Sequence, residues 1–114
     1  MVFEGGRPVI VGGTPGGDVQ VQTNLQVLVG LLDCGRDPQQ AAEDQRWWRG
    51  EGRDLGLEER AAEEAFEGLQ AKGHCVQRAG PYAQGGRVEA IRIDPNGTLV
   101  AGSDPRCDGC AMGF

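Results

Sequence analysis

The chain has 114 residues, among them 20 glycines and 6 prolines, just short of the composition at which low-complexity disorder becomes the better description. Leu, Ile, Val and Phe make up barely a fifth of it, enough for one small core with little to spare. Its 17 acidic and 11 basic side chains leave a net charge of -6, with the basic residues scattered, which excludes electrostatic capture of nucleic acid or of an anionic membrane.

The N-terminus, Met1-Val2-Phe3-Glu4-Gly5, has neither the charge nor the apolar run of a leader, and nothing approaches the roughly 18 apolar residues of a membrane span. The chain as it stands is expected to be cytoplasmic. Arg7 to Val11 is a short apolar run bounded by glycines and reads as a buried strand beginning at Pro8. Gly12-Gly13-Thr14-Pro15-Gly16-Gly17-Asp18 reads as a break that no regular element contains. From Asp18 to Asp33, Val21, Leu25, Leu28, Val29 and Leu32 recur at three- and four-residue steps. They predict an amphipathic helix buried along that stripe, with Asp18 or Thr14 as cap and Gly35 as stop.

Asp37 to Asp44 offers a cap residue, then proline, then helix formers, and predicts a short second helix. Gln45 to Arg49 reads as extended, with Trp47 and Trp48 facing opposite ways, one toward a core and one toward whatever covers this segment. After the loop Gly50-Glu51-Gly52, Leu55 to Glu58 reads as a strand, and Glu59 to Lys72 as a helix. Its apolar face is Ala62, Ala65, Phe66 and Leu69, and Gly73 ends it. His74 to Arg78 is a further strand. Arg87 to Ile93, with Val88, Ala90, Ile91 and Ile93 available to the core, joins Thr98 to Ala101 through an Asn96-Gly97 turn as a hairpin. No linker is long enough to separate domains, so residues 1–114 are expected to form one.

The glycine-rich break is the strongest chemical feature. A strand ending in glycines and running into a helix leaves backbone N–H groups pointing into one concavity, to which the helix dipole adds positive potential. Such a nest can hold an anion or a developing oxyanion, and it can equally be a tight turn that needs glycine for its dihedrals. It lacks the Lys-Ser or Lys-Thr of a P-loop and the spacing of a dinucleotide site. His74, the only histidine, has no nucleophile beside it and reads as structural. Glu58, Glu59, Glu63, Glu64 and Glu67 read as a solvated face. Of the four cysteines, Cys107-Asp108-Gly109-Cys110 could be half of a zinc site, with His74 and Cys75 as the only complement. Without a second such pair, Cys34, Cys75, Cys107 and Cys110 read as ordinary reduced thiols. No metal and no cofactor are expected.

A set of residues then carries a resemblance: Gly13-Thr14-Pro15-Gly16-Gly17-Asp18, Gln22 to Val29, Asp37-Pro38-Gln39-Gln40-Ala41, Arg46-Trp47, Gly102-Ser103-Asp104-Pro105-Arg106 with Asp108-Gly109, and Phe114. In order and over the whole chain, they resemble the C-terminal part of the small subunit of gamma-glutamyltranspeptidases and their acylase-like relatives. The resemblance implies an α+β fold, part of an N-terminal-nucleophile hydrolase αββα sandwich, with a mixed or antiparallel sheet and helices on its outer face. It implies transfer or hydrolysis of the gamma-glutamyl group of glutathione-like donors through a threonine acyl-enzyme, with water, an amino acid or a peptide as acceptor. By position, Gly16 and Gly17 supply the backbone N–H groups of the oxyanion hole and so touch the substrate.

The family's nucleophile-bearing Thr-Thr-His and donor-binding serine pair belong upstream of Met1, and its carboxylate-binding arginine belongs to the large subunit. Thr14 and Thr23 cannot replace that nucleophile, which uses its own free α-amino group. Cys107 and Cys110 depart from the family pattern. The chain alone is therefore expected to be catalytically silent, to need an upstream segment and large subunit, and to associate with itself through an uncovered apolar face and sheet edge. The alternative is a stand-alone remnant that uses the glycine nest as a carboxylate-binding or interaction module.

Overall fold

Gly5 and Gly6, both at positive φ, turn the first strand back on the second, as consecutive glycines do in tight hairpins. Val2–Glu4 (β1) thereby pairs antiparallel with Arg7–Gly13 (β2). The computed structural model describes residues 1–83 and 86–113. These form two units, one made of Met1–Asp44 with Gly86–Phe114 and the other of Gln45–Gly85. Among the described residues, no helix is long and apolar enough to cross a membrane.

In the first unit, β2 pairs with Glu89–Ile93 (β6), and β6 with Leu99–Ser103 (β7), giving an antiparallel sheet in the order β1-β2-β6-β7. The expected hairpin is present. Gly97 N–H donates to Asp94 O at 2.8 Å and Asp94 N–H to Thr98 O at 2.9 Å, closing the turn between β6 and β7. Gly12 and Gly13, expected in the break, are instead the last residues of β2, opposite Ala90 and Glu89. The ladder carries on through them because a bare backbone fits there: a Cβ on Gly12 would lie 2.6 Å from Glu89 O.

Two helices lie on one face of this sheet. The second, Pro38–Glu43 (α2), begins as its sequence predicts. Asp37 accepts from Gln40 N–H at 2.8 Å, and the Gln40 side chain accepts from Asp37 N–H at 3.0 Å, a reciprocal capping box with proline behind it. Pro38 and Gln39 backbone lies so close to Gly102 on β7 that a side chain there would collide with it. The first helix, Gln20–Leu32 (α1), buries a different face from the one its leucines and valines suggest. Thr23, Val27 and Gly30 are inside, with Val27 packed among Ala41, Ala42 and Val88, while Val21, Leu25, Val29 and Leu32 are exposed. Small residues decide this. Gly30 lets α1 approach Ala41, and Thr23 fits against the Gly86 backbone, so the helix seats on its narrow side.

Strand alternation divides the sheet's own apolar residues. Ile10, Val88 and Ala90 are buried, on the face toward the helices. Val11, Ile91, Ile93, Leu99 and Ala101 share the opposite face by register, where Leu99 remains 64% exposed. Neither helix of this unit lies on that face.

The second unit is a three-stranded sheet. Trp47–Arg49 (β3) and Asp54–Glu58 (β4) form an antiparallel hairpin, and a helix, Glu63–Ala71 (α3), carries the chain over to Cys75–Ala79 (β5), parallel to β4. The helix starts later than expected because Glu59 N–H is engaged by Ala79 O at 2.8 Å and Ala61 N–H by Glu58 O at 3.0 Å, holding residues 59–61 in a turn. Phe66 is buried among Leu57 and Ala61, with Leu69 and Trp47 against them, whereas Ala62 and Ala65 face outward. Trp48 goes to the other side of β3, its indole lying directly over Gly56, where no Cβ would fit. Glu58 is not part of a solvated face. It is fully buried and accepts from Arg46 N–H at 3.1 Å and Arg60 Nη2 at 2.8 Å, which makes it a charged anchor satisfied on the spot.

A second buried carboxylate, Asp104, follows β7. It accepts from Val88 N–H at 3.1 Å, from Arg106 N–H at 3.0 Å and from Arg106 Nη1 at 2.9 Å. Arg106 in turn donates to Ala42 O at 2.9 Å and Asp44 O at 3.0 Å, the carbonyls at the end of α2. Replacing one partner of such a buried pair leaves the other uncompensated. Asp104→Ala should lower the stability of this unit by about 3–5 kcal/mol, read from urea titrations followed through the amide signals of β6. A change under about 1 kcal/mol would place the pair with ordinary surface ion pairs.

Candidate functional site

The chain between β2 and α1 is Thr14 to Val19. Pro15 precedes two glycines whose φ values are +105° at Gly16 and +96° at Gly17, a region in which a residue with a side chain is strained. Both positions border open space, with nothing within 4 Å of where a Cβ would be. Close packing therefore does not require glycine here; the backbone conformation does. Gly17 O accepts from Gln20 N–H at 3.0 Å and Val19 O from Thr23 N–H at 2.9 Å, which starts α1 directly after the turn. Among the described residues, neither Gly16 nor Gly17 donates its N–H to a hydrogen bond. Two backbone donors thus stand at the positive end of a 13-residue helix, an arrangement suited to negative charge on an oxygen.

The residues around them take roles the sequence did not indicate. Val19 is the N-cap and makes no side-chain capping bond, so neither Asp18 nor Thr14 caps the helix; Asp18 is exposed. Thr14 Oγ1 is buried and has no hydrogen-bond partner among the described residues. Thr23 is fully enclosed on α1. Behind the turn, Gly12, Gly13, Asn24, Val27, Leu28 and Ala90 line part of a cavity of about 180 Å³ between the sheet and α1.

His74, Cys75, Trp47 and Trp48 belong to the second unit. His74 is half-buried just past α3, where its N–H donates to Leu69 O at 3.2 Å. All four cysteines are free thiols, and among the described residues no three His, Cys, Asp or Glu side chains gather to hold a metal ion. The buried carboxylates Glu58 and Asp104 were missed as such. Only the Arg at position 60 and the Arg at 106, each two residues on, hinted that these acids had partners.

The whole chain, residues 1–114, matches the family model for gamma-glutamyltranspeptidase. It is 40% identical over 120 residues to the glutathione hydrolase-like YwrD proenzyme of Bacillus subtilis (strain 168), a match covering 100% of this chain and 23% of that protein. It superposes on cephalosporin acylase from Bacillus halodurans with a TM-score of 0.87 at 30% identity, over 97% of this chain and 22% of that one. It also superposes on gamma-glutamyltranspeptidase from Pseudomonas nitroreducens complexed with L-DON, with a TM-score of 0.84 at 26% identity, over 99% of this chain and 59% of that one. The fold is that of part of an N-terminal-nucleophile hydrolase, α+β with mixed and antiparallel sheets. The chain belongs to the gamma-glutamyltranspeptidase family. It spans less than a quarter of the length of the curated relatives it matches.

The turn itself can be tested without any substrate. Gly17→Ala keeps open space around the new methyl but forces an L-residue to a φ near +96°, at a cost of about 1–2 kcal/mol. Gly13→Ala, at ordinary φ and likewise in open space, should change stability by less than about 0.5 kcal/mol. Equal thermal midpoints for the two variants would show that the positive φ at Gly17 is not needed.

Proposed function

We propose that residues 1–114 are the C-terminal portion of the small subunit of a gamma-glutamyltranspeptidase-like enzyme. In this reading the chain contributes the oxyanion hole, through Gly16 and Gly17, to transfer or hydrolysis of the gamma-glutamyl group of glutathione-like donors. The observation that carries it is the pair of N–H groups, undonated among the described residues, on left-handed glycines just before α1, in a chain that matches this family throughout.

The chemistry then divides between this chain and an upstream segment. The N-terminal threonine of that segment attacks the gamma-carbonyl, and its own amino group takes the hydroxyl proton. The carbonyl oxygen becomes an oxyanion, and the Gly16 and Gly17 N–H groups stabilise it as its charge develops. Collapse expels the amine, which takes up the proton and leaves a threonine ester. Water, an amino acid or a peptide then attacks that ester through a second oxyanion in the same place. The rest of this chain holds the turn. Thr14 and Thr23 lie within the chain and have no free α-amino group, so in this reading the nucleophile comes from the upstream segment.

Two apolar surfaces support the need for a partner. One is the α1 stripe of Val21, Leu25, Val29 and Leu32; the other is the sheet face of Val11, Ile91, Ile93 and Leu99. Surfaces of this kind are commonly covered in the assembled protein. In this reading the upstream segment and large subunit cover them, and in their absence the chain associates with itself.

The test is a chimera in which this chain replaces the matching part of the Bacillus subtilis glutathione hydrolase-like proenzyme, assayed for release of p-nitroaniline from gamma-glutamyl-p-nitroanilide. The chimera should turn over while the isolated chain does not. Gly17→Val in the chimera should lower kcat by about 100- to 1,000-fold with little change in KM. A Gly17→Val chimera that processes itself and keeps its kcat would overturn the assignment.

A further inference from the structure

The segment after β7 carries two thiols that acyl transfer leaves unused. Cys107 N–H donates to Asp104 O at 3.1 Å, so the chain turns back immediately after the strand. The Cys107 thiol then lies 3.1 Å from Asp104 O and 3.6 Å from Glu89 Oε1. Ser103 Oγ donates to the same Glu89 oxygen at 2.9 Å. Gly109 sits flush on this pair: a Cβ there would collide with both Glu89 Oε1 and Ser103 Oγ. The backbone of Cys107 to Cys110 is thus seated on the end of β6, with Cys107 half-buried and Cys110 exposed. The backbone bends at Cys107 and Asp108, and residues three apart on a bent chain can come within the roughly 7 Å between Cα atoms that a disulfide spans. Glu89 is paired across the sheet with Gly13, so the motif adjoins the strand that leads into the glycine turn.

We propose that Cys107 and Cys110 form a reversible disulfide modification site, closed by exchange with a small-molecule disulfide. The exposed Cys110 thiolate attacks one sulfur of that disulfide, forming a mixed disulfide and releasing the first small thiolate. The Cys107 thiolate then attacks Cys110 Sγ, forming the internal bond and releasing the second. The two cysteine protons end on the two small thiols, so the protein loses two hydrogen atoms while the external disulfide is reduced. Closure removes the Cys107 S–H donor from Asp104 O and from Glu89. Oxidation is therefore felt at the end of β6 and at its partner Gly13. Cys34 and Cys75 are exposed as well but have no cysteine near them in sequence, so the same reagent takes them only as far as mixed disulfides. The proposal does not rest on the acyl-transfer reading, because it needs no turnover.

The experiment equilibrates the full chain with mixtures of reduced and oxidised glutathione, then maps its peptides by mass spectrometry. The expected product is a peptide linking Cys107 to Cys110, with glutathione on Cys34 and Cys75 alone, all reversed by dithiothreitol. Cys107→Ser should stop at glutathione held on Cys110. Amide signals of Glu89 and Gly13 should shift on closure in the native chain and not in Cys107→Ser. Stable glutathione adducts on Cys110 in the native chain, with no linked peptide, would overturn the site. A linked peptide with the Glu89 and Gly13 signals unmoved would overturn its coupling to the strand.

Discussion

The Asp104–Arg106 pair is the constraint on which the first unit depends, because that unit is interrupted in sequence. The chain leaves it after Asp44 and returns at Gly86. Arg106 holds the carbonyls of Ala42 and Asp44, at the point of departure, and Asp104 holds the N–H of Val88, just after the return. One buried ion pair at the end of the last strand therefore fastens both ends of the excursion. Its cost of desolvation is offset because both Asp104 oxygens and both Arg106 terminal nitrogens have partners within 3.1 Å. Ser103, the residue before it, is tied to Gln39 on α2 by a two-way bond, N–H to Oε1 and Nε2 to O, both at 3.0 Å. Strand β7 and helix α2 consequently move as one piece, and Gly102 allows their backbones to touch.

What the sequence made legible was what is decided within a few residues. The Asp37 cap with proline behind it and the Asn-Gly hairpin at 96–97 are local signals and are present as read. The face of α1 was not local. Its apolar spacing pointed to Val21, Leu25 and Leu32, yet the helix buries Thr23 and Gly30, since two neighbours, Ala41 and Gly86, demand small residues at the contact. Strand β1 was passed over although Gly5-Gly6 is a hairpin signal; a three-residue strand offers too short an alternation to register. Gly12 and Gly13 looked like punctuation because the strand that accepts them, β6, lies far away in sequence. The same distance hid Glu58 and Asp104, each of which, besides its arginine two residues on, is held by a backbone donor far away in sequence. At the candidate site, the turn was legible as a run of glycines, while the buried hydroxyl of Thr14, without a partner among the described residues, was not.

The sheet of the first unit is apolar on both sides, although only one side carries helices. A sheet of that kind satisfies its backbone within itself and leaves its side chains to choose a neighbour. Together with the outward valines and leucines of α1, this makes the unit a layer rather than a finished body, in keeping with a chain that spans only a fraction of its relatives' length.

The distribution of aromatic side chains has a practical consequence. Both tryptophans and the single tyrosine fall between Gln45 and Gly85, with Trp47 in the Phe66 cluster and Trp48 stacked on Gly56. Intrinsic emission therefore reports on the second unit alone. The glycine turn, the Asp104 anchor and the two thiols of the C-terminal segment could all rearrange or melt in optical silence.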